Sequence, residues 1–244
     1  MGIKISVITI NLNNLKGLKR TVQSVLDQTY PDIEYLVIDG GSTDGGKEFI
    51  QDNQNQFSFF LSEIDTGVYD AMNKGIKKST GKYLIFLNSG DFFSNSYSIS
   101  TLIKNSNGED LVFGNILVQQ FDKSYVRKYP ENLTFKYFYY ASIPHPACLI
   151  SKKLFELYGL YDTKLKIAAD WKFFLVAVVK HGCSYRYVDE MISTFRVDGI
   201  SSLPENSELL ENERVMTLKK YFNMKFWLYT IYLEALDKSF YKKS

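Results

Sequence analysis

The hydrophobic positions change period several times along the first ninety residues. Ile5 to Ile10 (Ile-Ser-Val-Ile-Thr-Ile) is a β-branched run ended by the turn-forming Asn11-Leu12-Asn13-Asn14, and predicts a buried strand. Leu15, Leu18, Val22, Val25 and Leu26 then recur at helical spacing until Tyr30-Pro31 stops the pattern, and Glu34 to Ile38 predicts a second strand. Strand, helix, strand is the unit that builds parallel sheets. Phe57 to Leu61 is a third apolar run. From 68 to 78, Val68, Ala71, Met72, Gly75 and Ile76 keep the helical period while Lys74, Lys77 and Lys78 face outward. Tyr83 to Leu87 is apolar throughout, between Gly81 and Asn88-Ser89-Gly90, which fits a strand buried on both faces.

Beyond residue 93 the alternation weakens. Tyr97 to Lys104 predicts a short helix and Leu111 to Phe121 a long strand; the aromatic stretch 122–142 gives no clear period. Pro144-His145-Pro146 predicts a stiff, extended element, because each proline fixes its own φ and restricts its predecessor. Ser151 to Tyr158 predicts a helix capped by Gly159. A second, strongly apolar helix runs from Asp170 to Gly182, and Tyr185 to Val188 and Met191 to Val197 predict two strands. Residues 205–243 form helix throughout, dense in aromatics and flanked by Lys219, Lys220, Lys225, Lys238, Lys242 and Lys243. Such a helix fits a membrane interface, its own domain or a second subunit equally.

Composition narrows the class. A chain of 244 residues that is 45% hydrophobic has ample material for one large core. A net charge of +2 with no long basic block argues against nucleic acid as the partner. Cys148 and Cys183 have neither zinc-site nor disulfide spacing, so buried thiols of a cytoplasmic protein are expected. Neither a signal peptide nor an apolar run of transmembrane length is visible.

The chemistry gathers where strands end. Asp39 follows the second strand, Asp65 the third and Asp91 the fourth, and in open α/β sheets ligands collect beyond the carboxyl ends of the strands. Each acid alone has a plainer reading as a turn residue. Three on one sheet edge describe a pocket for a polyhydroxy, metal-bound ligand, and a nucleotide diphosphate fits. Asp170 opens a buried helix, where an N-terminal cap and a catalytic carboxylate are both consistent with the position. His145 stands in its proline frame either as a packed side chain or as a ligand contact.

Read together, Ser6-Val7-Ile8-Thr9, Ser24 to Tyr30, Val37-Ile38-Asp39-Gly40-Gly41-Ser42-Thr43-Asp44-Gly45, Asp65 to Gly75 and Gly81 to Asp91 resemble the family 2 glycosyltransferases with the GT-A fold. The resemblance is dense over residues 4–93 and looser over 144–202. It implies an α/β, GT-A fold with a single mostly parallel nucleotide-binding sheet flanked by helices. The expected domain is 1–204, with a nucleotide-sugar half at 1–93, an acceptor half at 94–204 and a C-terminal aromatic, basic helical extension at 205–244. The implied activity is inverting transfer of a sugar from a nucleotide diphosphate donor, usually a UDP-sugar, to a hydroxyl of a glycan or lipid-linked acceptor in cell-surface polysaccharide synthesis. By position, the resemblance implies nucleotide contacts from Ile10, Asn11, Asp39, Asp65, Asn73 and Lys74, and Mg2+ or Mn2+ on Asp91. It gives Asp170 the role of general base and makes Asn88, His145, Arg196 and Ser201 candidates for substrate or phosphate contact.

Two departures from the family stand out. Gly40 replaces a frequent second acid, and Asn88 and Gly90 stand where the metal motif usually has Asp. The Gln-x-x-Arg-Trp motif of processive synthases is absent, which disfavours a polymerising enzyme with a membrane channel. The implied location is cytoplasmic, at the inner membrane face if the C-terminal helix is peripheral there, or in a homo-oligomer if it pairs. A non-catalytic nucleotide-sugar-binding subunit and a sugar nucleotidyltransferase are the alternatives, though Asn11-Leu12-Asn13-Asn14 is not the glycine-rich basic loop of the latter.

Overall fold

The computed structural model describes residues 2–120, 123–197, 199 and 203–241, with side chains as far as Tyr232. In chain order the elements are strand β1 (Ile5–Asn11), helix α1 (Leu15–Leu26), β2 (Ile33–Asp39), α2 (Gly46–Asp52), β3 (Phe59–Ser62), α3 (Val68–Lys78), β4 (Tyr83–Phe86), the short β5 (Phe92–Phe93) and α4 (Ser98–Lys104). They continue with β6 (Leu111–Gln120), β7 (Lys123–Arg127), α5 (Phe135–Tyr140), β8 (Cys148–Ser151), α6 (Lys152–Tyr158), α7 (Ala169–Leu175), β9 (Tyr185–Arg196) and α8 (Ser207–Tyr241).

One sheet holds these strands in the order β3, β2, β1, β4, β8, β6, β9, β5, with β7 paired to β6. Pairing is parallel from β3 through β4, as βαβ connections require. Beyond β4 it is mixed: β8 lies antiparallel to both β4 and β6, and β9 parallel to β6. The parallel strands are the β-branched and aromatic runs of the sequence. Ile5, Val7, Ile8, Leu36, Val37, Leu84, Ile85 and Phe86 are each fully enclosed, because helices cover both faces of this half of the sheet. Removing a ring such as Phe86, which packs edge-on against Phe155 and Tyr161, would cost about 3–5 kcal/mol.

The second half departs from the sequence reading at several points. The 144–146 segment is extended only at Pro144; His145–Ala147 closes into a single 3-10 turn, with the Ala147 amide donating to the Pro144 carbonyl at 3.1 Å. The fixed φ of Pro146 suits a helical turn, which explains the difference. Cys148–Ser151, to which the sequence reading assigned no strand, is a strand enclosed on both sides. The two strands expected over 185–197 are one strand, bulged where Gly114, Asn115 and Ile116 shift register against it. The unplaced stretch 122–142 supplies β7 and α5. Cys148 and Cys183 are free and buried, as their spacing predicts.

Helix α8 kinks at Phe222, whose ring packs against Phe135 of α5. Leu218 and Phe222 are buried against the domain, whereas Met224 and Trp227 face solvent. Among the described residues no helix is long and apolar enough to cross a membrane.

Candidate active site

The β1–β2 register ends by setting Asn11 beside Asp39, at the carboxyl end of the parallel strands. Asp39 is fully buried and accepts hydrogen bonds from Asn11 Nδ2 at 2.8 Å, the Ser42 amide at 3.0 Å, Ser62 Oγ at 2.7 Å, the Ser42 hydroxyl and the Gly41 amide. Burial pushes this carboxyl up, but the bonds from Ser42, Ser62 and Asn11 outweigh it and hold Asp39 below the usual carboxylate range. The same Asn11 amide also donates to Ser42 Oγ. Both of its hydrogens are therefore spent, and its Oδ1 is buried without a partner. The amide cannot turn over without facing an oxygen to the Asp39 carboxylate, so a bare acceptor is fixed in place.

Asn11 also borders a cavity of about 530 Å3, whose lining includes Ile10, Leu12, Asp65, Asn88 and Ser89. Asp65 reaches the lining by lying against the backbone of Gly40: a Cβ on residue 40 would overlap its Oδ2. Its Oδ1 accepts from the Gly67 amide at 3.0 Å, and Gly67, at φ 136, holds a conformation that side chains disfavour. Burial raises the Asp65 pKa, with the nearby charges of Asp70 and Asp39 adding to it and the Gly67 amide and Lys74 opposing.

The turn after β4 forms the opposite wall. Thr21 of α1 donates to the Asp91 carbonyl at 2.7 Å and accepts from the Gly90 amide, and Asn14 donates to the Ser89 carbonyl. Asp91, 5% exposed, accepts the Arg196 amide at Oδ1. Asn88 Oδ1 is a second buried oxygen without a partner, and Asn88 Nδ2 lies 3.4 Å from His145 Nε2.

The other ring nitrogen of His145, Nδ1, is 3.1 Å from Asp170 Oδ2. Asp170 occupies the first turn of α7, and its Oδ1 lies 2.8 Å from the Tyr69 hydroxyl. That hydroxyl is also 2.5 Å from the Ile167 carbonyl, so its single proton serves one of two acceptors at a time. Burial raises the Asp170 pKa, but the hydrogen bond and charge of His145 and the bond from Tyr69 outweigh it and leave it lowered. Conversely, burial lowers the His145 pKa while Asp170, then Asp91, raise it above its ordinary value. The loop before α7 is held from α8 by Glu213, 3% exposed, which accepts the Lys166, Ile167 and Ala168 amides at 2.6, 3.0 and 2.9 Å.

Not every residue expected at the site faces it. Asn73 bonds the Tyr161 backbone at both ends of its amide, 2.9 and 3.0 Å, so it clamps α3 to the loop after α6. Lys74 pairs with Glu63 at 2.9 Å and Asp70 at 3.5 Å, fixing the loop that carries Asp65. Asp39 stands behind Asn11, outside the lining, and orders the 41–42 turn. Ile10, Asn11, Asp65 and Asn88 share the first cavity; His145 and Asp170 share a neighbouring one; Asp91 and Arg196 meet between the sheet edge and β9. Ser201 lies outside the described residues. Sequence reasoning gave no role to Tyr69 or Glu213. Tyr69 sat inside the Asp65 to Gly75 motif, but an acid in a charged helix such as Glu213 carries no signal of its own.

Known proteins share this chain's sequence pattern and fold. A model of the family "Glycosyl transferase family 2" matches residues 6–155. An uncharacterized glycosyltransferase of Mycobacterium tuberculosis is 34% identical over 220 residues, covering 87% of this chain and 82% of its own. A PGL/p-HBAD biosynthesis glycosyltransferase of Mycobacterium bovis is 27% identical over 214 residues, covering 84% and 82%. Among solved structures, residues 1–349 of S. aureus TarS in complex with UDP-GlcNAc superpose with TM-score 0.67 at 18% identity, over 90% of this chain and 68% of that one. The mannosyltransferase PcManGT from Pyrobaculum calidifontis, in complex with GDP-Man and Mn2+, gives TM-score 0.61 at 13% identity, over 83% and 59%. The fold is that of the GT-A glycosyltransferases, and by the family match and the mycobacterial relative the chain belongs to glycosyl transferase family 2.

Proposed function

We propose that this chain is an inverting glycosyltransferase that moves a sugar from a nucleotide diphosphate donor, a UDP-sugar, to a hydroxyl of a glycan or lipid-linked acceptor in cell-surface polysaccharide synthesis. One observation carries the reading. Asn88 on the lining of the first cavity lies 3.4 Å from His145 on the lining of the second, and His145 lies 3.1 Å from Asp170, so a donor site and a carboxylate base are joined through one imidazole.

In the donor cavity exposed Leu12 would cover the face of the base, and Asn11, held by Asp39 and Ser42, would border it. The Asp65 carboxylate has room beside Gly40 to accept ribose or base donors. Asp91 and the unpartnered Asn88 Oδ1 offer hard oxygen ligands, the donor type Mg2+ and Mn2+ prefer, although among the described residues no group of three or more His, Cys, Asp or Glu forms a complete metal cage. A partial set fits an ion whose shell the diphosphate completes. When bound, such an ion would neutralise charge on the departing diphosphate.

In the chemical step the acceptor oxygen attacks the anomeric carbon as the bond to the diphosphate oxygen breaks, and the diphosphate leaves with the electron pair. The acceptor proton passes to Asp170. Single displacement inverts the anomeric centre. Asp170 has lone pairs remaining beyond those engaged by His145 and Tyr69, which fix the plane of the carboxylate. A carboxylate is a weak base for an alcohol, so proton transfer must keep pace with bond formation. Release of UDP from a panel of UDP-sugars, with and without EDTA, tests the reading: metal-dependent release is expected, and none from any donor would defeat it.

A further inference from the structure

We propose that the cavity holding Asp170 binds an acidic group of the acceptor, a phosphate or a carboxylate, through Arg214 and Arg127. This rests on the reading of Asp170 as the base that faces the acceptor. The cavity has a volume of about 250 Å3, and its lining includes Asp170, His145, Trp171, Tyr129, Arg127 and Arg214. Asp170 is the one carboxylate among the described residues of that lining, and both of its oxygens are already engaged by His145 and Tyr69. Two guanidinium groups therefore share the space with a single carboxylate.

Arg214 gives the stronger signal. It projects from α8, its guanidinium stacks over the Trp171 ring at 5.1 Å, and its Nε is buried without a hydrogen-bond partner. Burial lowers its pKa, with the charge of Asp170 opposing. Leaving a buried guanidinium N–H unpaired is costly, and a planar fork beside an aromatic floor is suited to an oxyanion. Trp171 and Tyr129, both buried, give this part of the cavity apolar walls. A neutral acceptor would leave Nε bare. An acidic one would pair it while its hydroxyl sits at Asp170 in the same cavity.

The test uses three probes on the full chain saturated with UDP: octyl phosphate, octyl β-D-glucuronide and the neutral octyl β-D-glucoside. Binding is read by calorimetry, and UDP affinity is measured in the same preparations. At least one anionic probe is expected to bind about tenfold or more tighter than the glucoside, the scale of one charge-assisted hydrogen bond. Which anion it is separates a lipid phosphate from an acidic sugar. Arg214→Gln should abolish the preference with UDP affinity unchanged, and Arg214→Lys should retain part of it. Arg127→Gln, at an exposed position, serves as the second variant should Arg214→Gln fold poorly. Absence of any anion preference, its survival in both glutamine variants, or displacement of UDP by octyl phosphate would each overturn the proposal. Wild-type protein that fails to bind UDP would instead defeat the donor assignment, and the probe series without UDP would still decide the anion preference.

Discussion

His145 Nδ1 and Asp170 Oδ2 stand 3.1 Å apart, with the two side chains 15% and 19% exposed. They come from opposite sides of the cleft, His145 from the turn before β8 and Asp170 from the first turn of α7. Each alters the other: the carboxylate keeps the imidazole protonated to higher pH than usual, and the imidazole keeps the carboxyl ionised to lower pH than usual, both against the pull of burial.

The pair should therefore stabilise the fold within a pH window. The His145 contribution is fully present below its ordinary value of 6.5 and is lost as pH rises through its raised native value. The Asp170 contribution is present above 3.8 and is lost as pH falls through its lowered native value. The difference in Tm between wild type and His145→Gln should be largest between those limits and shrink toward alkaline pH. A difference that stays flat from pH 5 to pH 9 would show that the ion pair does not form.

Asp170→Asn is expected to lower kcat by about a hundredfold or more, the usual scale of a lost general base. The amide keeps a partner for His145 and Tyr69 but cannot take up the acceptor proton. UDP affinity should hold, since the donor cavity is built on β1, β4 and α3. Comparison of single-turnover rate with calorimetric UDP affinity checks both halves.

Much of the donor side is legible in the sequence because each element there is local. The strand β1, the helix α1 and the acid-ended β2 follow one another, and the register that puts Asn11 beside Asp39 follows from parallel pairing of adjacent runs. The acceptor side is less legible because its contacts are distant in the chain. Tyr69 meets Asp170 across 101 residues, and Glu213 meets Ala168 across 45. No local period announces either. The Asn73 clamp is hidden in the same way, since its partner Tyr161 lies 88 residues along the chain.

Gly40 is expected to be required by Asp65 rather than by the fold. A Cβ at residue 40 meets only the tip of the Asp65 side chain and Leu12, so Gly40→Ala should cost little stability, within roughly 1 kcal/mol. It should displace the Asp65 carboxylate and weaken UDP binding. In an Asp65→Ala background the same change should have no further effect, a coupling that a double-mutant cycle on UDP affinity measures directly. Additive losses would show that residue 40 acts on UDP binding independently of Asp65.

Asp91→Ala addresses the metal. Asp91 and Asn88 Oδ1 are the hard donors proposed at the diphosphate, so removing the carboxylate should abolish the gain in UDP affinity on adding Mn2+ while leaving the metal-free affinity nearly unchanged. Calorimetry with Mn2+ and with EDTA separates the two terms. An undiminished Mn2+ effect in the variant would locate the ion elsewhere.

Glu213 is buried on α8, 3% exposed, and yet should control turnover. Its carboxylate gathers three amides of the 166–168 loop, and Ala168 is the residue on which α7 begins. Glu213→Ala leaves those amides unpaired in a buried place; at about 1.5–3 kcal/mol for one hydrogen bond to a charged group, and with partial relaxation, a loss of about 3 kcal/mol or more is expected. For a domain of this size that is roughly a 6–12 °C fall in Tm. Loosening the start of α7 also frees Asp170 from its place between His145 and Tyr69, so kcat should fall at temperatures where the variant is still folded, with UDP affinity retained. Glu213→Gln keeps one acceptor oxygen but turns an NH2 toward the amides, and should fall between the wild type and the alanine variant on both scales. A drop in Tm with kcat unchanged would show that the loop is anchored for stability alone.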